Sequence, residues 1–132
     1  MPRKTLKDRN QRNISDTKTN RVRMVIDNLL GTEDADDIML ELLEVLTETT
    51  NVPSTGKCYT FVYKPKTIGI TYDEHPLVGV TEVYAWGFKG VNFHWGEMRQ
   101  YTWEEVVGEL HLIRQQELKD VQALPFKKVK SR

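Results

Sequence analysis

Four side chains in this sequence could, in combination, hold a metal or attack a substrate: Cys58, His75, His94 and His111. Together they would make a tetrahedral zinc set. Their successive separations of 17, 19 and 17 residues, however, contain none of the short paired spacing by which structural zinc sites grip the ion. A hydrolytic centre would need a nucleophile beside a base on a strained turn, and no such turn motif occurs. Cys58 opens a run of aromatic and β-branched residues, so it reads as a packed or partly exposed thiol. Glu33, Asp34, Asp36 and Asp37 could suggest a divalent cation, but the glycine and the downstream bidentate glutamate of a calcium loop are missing. The acids read instead as a helix start complementing the positive end of the dipole. Gly87 and Gly90 suit a hairpin turn better than a phosphate-cradling loop. No catalytic residue, metal or cofactor is expected from these patterns.

Binding chemistry is better represented. Seven of the twelve aromatic residues fall between Tyr84 and Trp103. A hairpin here cannot bury all of them by alternation, so some rings should remain exposed beside Lys89 and Arg99. Large rigid rings next to Arg bring contact area at small entropic cost, as at protein interfaces. The expected interface set is Tyr84, Trp86, Phe88, Lys89, Phe93, His94, Trp95, Arg99 and Tyr101. The alternative is nucleic acid. Tyr59, Phe61, Tyr63, Phe88, Phe93 and Trp95 could stack bases, with basic arms on the phosphates. An acidic helix opposes that reading unless it lies on the far side, and so small a domain also needs aromatic rings for its core.

The framework carrying these residues can be read from pattern. The 132 residues suit one domain, with 39% hydrophobic and 29% charged content. The zero net charge conceals segregation. Residues 1–20 form a basic arm carrying Arg3, Lys4, Lys7, Arg9 and Arg12, with too few apolar residues to fold alone. Residues 21–50 form an acidic helical segment: one helix from Arg21 ending at Gly31, then a second, capped by Thr32 and running to about Thr49. A β-barrel-like domain over 57–125 begins with Lys57 to Tyr63 and a short strand from Ile68 to Tyr72. A turn over Asp73 to Pro76 leads into a long strand from Leu77 to Trp86. Gly87 to Gly90 then turns the chain into a strand from Val91 to Trp95. Thr102-Trp103-Glu104-Glu105 fits a capping box that starts a helix weakened by Gly108, with a break or short strand near His111 to Ile113. A last helix covers about Gln115 to Leu124, and 126–132 is a basic tail. The fold class is thus α+β: N-terminal helices, a small antiparallel barrel-like sheet and a C-terminal helical segment. The absence of long apolar runs predicts an intracellular, non-membrane protein.

From Tyr63 to Leu124, about half of the chain, the pattern resembles a group of small proteins of tailed bacteriophages, especially contractile-tailed ones. Their "YD..PL" segment followed by "GF.G.N.H" matches Tyr72, Asp73, Pro76, Leu77, Gly87, Phe88, Gly90, Asn92 and His94. The resemblance implies a barrel of the Src-homology-3 kind and a non-enzymatic structural or assembly role in the tail, baseplate or neck. It also implies other virion proteins, or copies of the chain itself, as partners, and assembly in the host cytoplasm. A nucleic-acid-binding accessory protein of the same phage-like source is the alternative.

Overall fold

The computed structural model describes residues 21–29, 34–67 and 69–131. The basic arm, Gly31, Thr32, Ile68 and Arg132 lie outside them. The architecture is α+β, built from three helices and eight strands among the described residues. Helix α1 (Arg21–Asn28) buries Val22 and Val25, and α2 (Ala35–Val45) buries Ile38, Met39 and Leu42, each set one helical turn apart. The cap of α2 is Asp34, whose carboxylate accepts from the amides of Asp36 and Asp37. The helix stops at Val45, short of the expected end. Glu48 O accepts from Leu112 N, and the next two residues form β1 (Thr49–Thr50).

The remaining strands are β2 (Cys58–Tyr63), β3 (Thr71–Asp73), β4 (Leu77–Val83), β5 (Gly87–Asn92), β6 (Glu97–Thr102), β7 (Val106–Ile113) and β8 (Val129–Ser131). Helix α3 (Leu118–Ala123) comes after a single 3-10 turn, close to the helix expected there. Six strands make one antiparallel sheet in the order β1-β7-β2-β4-β5-β6, and β3 pairs with β8. The sheet is open: β1 and β6 are its edges, so the barrel closure expected from the sequence is not realised.

The period-two alternation of β2 explains the packing. Tyr59, Phe61 and Tyr63 join Tyr72, Val78, Val80, Phe88, Tyr101 and Leu110 in an aromatic core on one face. Cys58 and Val62 point the other way, where Leu77, Ile113 and Phe93 meet the helices and Phe126. Fully burying each of Leu42, Leu46, Phe61 and Phe88 contributes about 1.5–3 kcal/mol. The sheet therefore separates two cores, and both ends of the described chain help to close the helical one.

Three expected elements differ. The turn lies at Tyr84 to Gly87, where each residue's amide donates to the other's carbonyl, and Gly87 to Gly90 lie inside β5. Gly90 is required for close approach rather than for turning: a Cβ there would lie 2.5 Å from Gly79 O and from Val78 Cγ1. Val91 to Trp95 is not a separate strand, because the chain turns over Phe93 to Gly96 and returns as β6, which the pattern did not indicate. The capping box does not form, because the Thr102 side chain caps no backbone amide. Thr102 Oγ1 donates to Glu105 Oε1 at 2.8 Å, but only a single 3-10 turn forms and Val106 is already extended. The apolar residues after it pair with β2. Gly108, at φ +79°, occupies an irregularity in that ladder, which suits a β-bulge better than a helix.

Candidate functional site

The β4–β5–β6 unit distributes the nine expected interface residues between core and surface. Phe88 and Tyr101 are interior: both stack on each other and contact Phe61 edge-on. Phe93 packs on the helical side of the sheet. Burial pushes the Tyr101 phenol well above its ordinary range, although Asn92 Nδ2 donates to it at 3.1 Å.

The exposed member, Trp86, and the half-buried Tyr84, Lys89, Trp95 and Arg99 gather at the two ends of the β5–β6 hairpin. At one end Trp86, 42% exposed, stacks on Tyr84 with ring centroids 5.0 Å apart and planes within 8°. Lys89 Nζ stands 5.7 Å from the Tyr84 ring centroid. The Tyr84 phenol is raised by its hydrogen bond to Glu82. At the other end the Arg99 guanidinium lies 3.8 Å from the Trp95 ring centroid and Lys127 Nζ 5.7 Å from it. Arg99 is held in turn by Glu97, with Nε 2.8 Å from Oε2. Between the two ends, Met98 on β6 is 53% exposed. Each end thus offers an aromatic face with a cation, a pairing common where proteins meet.

His94, expected at the interface, has a buried side chain instead. Its Nδ1 lies 2.5 Å from Asp73 Oδ2, both side chains are buried, and the ring meets Phe126 edge-on at 5.0 Å. Asp73 also accepts from His75 N, and His75 Nε2 lies 3.0 Å from Asp36 Oδ1. His75 is thus a buried link from the β3–β4 turn to α2. Asn92 Oδ1 accepts from the amides of His94 and Trp95, fixing the turn that presents Trp95. Asp36 also pairs with Lys128, and the Lys128 ammonium followed by His75 holds its carboxyl below the usual range. Glu74 lies 3.5 Å from Lys130, so the β3–β8 corner is fastened by charge.

An Asp–His pair invites comparison with hydrolytic relays, which require a hydroxyl or thiol against the second ring nitrogen. His94 Nε2 is buried with no hydrogen-bond partner among the described residues. Cys58 lies on the helical side of the sheet, where burial raises its thiol. The cleft lined by Asp73, Asn92, Trp95, Arg99 and Tyr101 holds only about 80 Å³, room for a few waters rather than a metabolite. No group of three or more His, Cys, Asp or Glu among the described residues is arranged to hold a metal. His111 is apart from the other histidines, its Nδ1 2.7 Å from Leu46 O. No described helix is long and apolar enough to cross a membrane.

The nine residues of the "YD..PL" and "GF.G.N.H" segments have identifiable structural work. Asp73, Asn92 and His94 meet in one corner, Phe88, Leu77 and Tyr72 are in the cores, and Pro76 O accepts from Thr60 Oγ1. Gly90, like Gly87, sits where neighbouring backbone leaves no room for a Cβ. Compared with protein-family models, curated proteins and solved structures, the chain matches none.

Proposed function

We propose that this chain is a non-enzymatic docking component of a tailed-phage virion or of its assembly, engaging another virion protein through the exposed rings of the β4–β5–β6 unit. The observation that carries the reading is the Trp86–Tyr84 stack with Lys89 beside it. A large ring left outside both cores, rigidified by a neighbour and flanked by a cation, has the composition of a binding hot spot. The phage context rests on the sequence resemblance, and the tail, baseplate or neck is the place it suggests.

The nucleic-acid alternative loses part of its basis. Two cations of the basic tail are engaged: Lys128 by Asp36 and Lys130 by Glu74. Four of the six rings offered for stacking, Tyr59, Phe61, Tyr63 and Phe88, are buried.

The test is whether the chain sediments with purified phage particles at a fixed copy number. Recovery solely in the unassembled fraction would contradict the virion reading. Salt-dependent retardation of DNA by the isolated protein would favour the alternative.

A further inference from the structure

Among the described residues, the free sheet edges differ in length. β1 has two residues, and β3 and β8 three each, so none can extend a ladder far. β6 has six and pairs with β5 without a bulge from Glu97 to Thr102. Proteins usually blunt such edges with short length, charged side chains (lysine above all), proline or a bulge. β6 has no lysine, proline or bulge; its charges, Glu97 and Arg99, pair with each other, and its apolar Met98 is 53% exposed.

We infer that β6 is the surface through which two copies of this chain pair, edge to edge and antiparallel, about a two-fold axis at Met98. In such an isologous pair the axis stands perpendicular to the sheet, so one residue faces itself and its neighbours face each other in reverse order. An axis at Glu97 or Arg99 would set like charges directly opposite, which is unfavourable. An axis at Gln100 would set Arg99 against Tyr101, whose ring is turned into the core. An axis at Met98 sets Glu97 opposite the second copy's Arg99, and Arg99 opposite the second copy's Glu97. The two exposed methionines meet between these charge pairs, on the other face of the strand. The Glu97–Arg99 contact already present within each copy keeps both side chains on the same face of β6, as the exchanged pairs require.

The shared ladder is short, so the dimer is a weak, reversible one below the standard interface size. It goes beyond the docking reading, because it uses the edge of β6 and leaves the Trp86 stack open to a different partner.

Sedimentation velocity of the full chain from about 10 to about 500 µM, the range suited to a sub-standard interface, tests it. The wild type should shift from monomer to dimer across this range. Arg99→Glu should weaken association about tenfold by facing acids with acids. The double variant Glu97→Arg with Arg99→Glu should restore it, because opposite charges face each other again. Met98→Glu, at an exposed position, should likewise weaken it. A wild type that stays monomeric overturns the proposal, as does a reversal that leaves association unchanged or a double variant that fails to restore it. Loss of Trp86 should not affect this association, which separates its failure from failure of the docking reading.

Discussion

Replacing Arg21 with alanine removes one half of a charge pair on which the helical side of the molecule depends. Arg21 Nε and Nη2 donate to the two Glu117 oxygens at 2.5 and 2.9 Å, joining α1 to the turn before α3 across 96 positions of sequence. Glu117 is fully buried, and its other observed donor is the Arg114 amide at 2.9 Å. In Arg21→Ala that carboxylate keeps its burial but loses its counter-ion. Stranding one member of a buried pair costs about 3–5 kcal/mol, a large share of the 5–15 kcal/mol typical of a domain. The midpoint of thermal unfolding should fall by about 10–20 °C for a chain of this size. Glu117→Gln keeps the shape, and Arg21 retains Glu48 at 3.3 Å, so it should cost less, about 1–2 kcal/mol. Urea denaturation followed by tryptophan fluorescence measures both, with an unchanged slope indicating the same folded and unfolded states. A loss below about 1 kcal/mol for Arg21→Ala would place the pair with exposed salt bridges and refute the reasoning.

Gly90→Ala should destabilise by about 3 kcal/mol in the same assay, because the added methyl meets the Gly79 carbonyl and Val78 with no room to shift. Tyr63 and Tyr101 have phenols raised chiefly by burial, with donation to Glu105 adding to the effect at Tyr63. Folding therefore favours their protonated forms, and the stability they contribute is complete below pH 10 and lost as pH rises through their folded values. Ultraviolet titration should show the two ionising last, together with alkaline unfolding. Asp36 is lowered by Lys128 and then by His75, so the stability from these contacts is present above its ordinary value of 3.8 and lost as pH falls through the lower folded value. Hydrogen exchange of β8 amides should accelerate in that acidic window, and Asp36→Asn should abolish the acceleration.

The helices and β2 were legible because their apolar periods are intact: Val22 and Val25, Ile38 and Leu42, then Tyr59, Phe61 and Tyr63. β6 was not, since only Tyr101 among its six residues is buried and its exposed residues show no alternation. Gly87 and Gly90 misled because glycine marks close approach as well as turning, and only the positions of β6 beside Gly87 and of β4 beside Gly90 distinguish the two. The capping box at Thr102 misled: its Thr and Glu105 side chains bond each other rather than backbone amides, and pairing with β2 makes the next residues a strand instead of a helix. The same limit applies to the site. Exposure of some rings in Tyr84 to Trp103 is implied by their number. Which ones emerge depends on the two cores, which take Phe88, Phe93 and Tyr101 and leave Trp86 outside. The Asp73–His94 and Arg21–Glu117 links join residues remote in sequence, and no local pattern marks them.

Docking of this chain into a phage particle through its exposed rings stands or falls on Trp86→Ala. Quantitative mass spectrometry of purified particles should find the wild-type chain at a constant copy number. The variant should retain its fold, because Trp86 belongs to neither core, yet be depleted about thirtyfold, as expected for a hot-spot loss of about 2 kcal/mol. Equal incorporation of the two chains, or absence of the wild-type chain from the particles, would contradict the account.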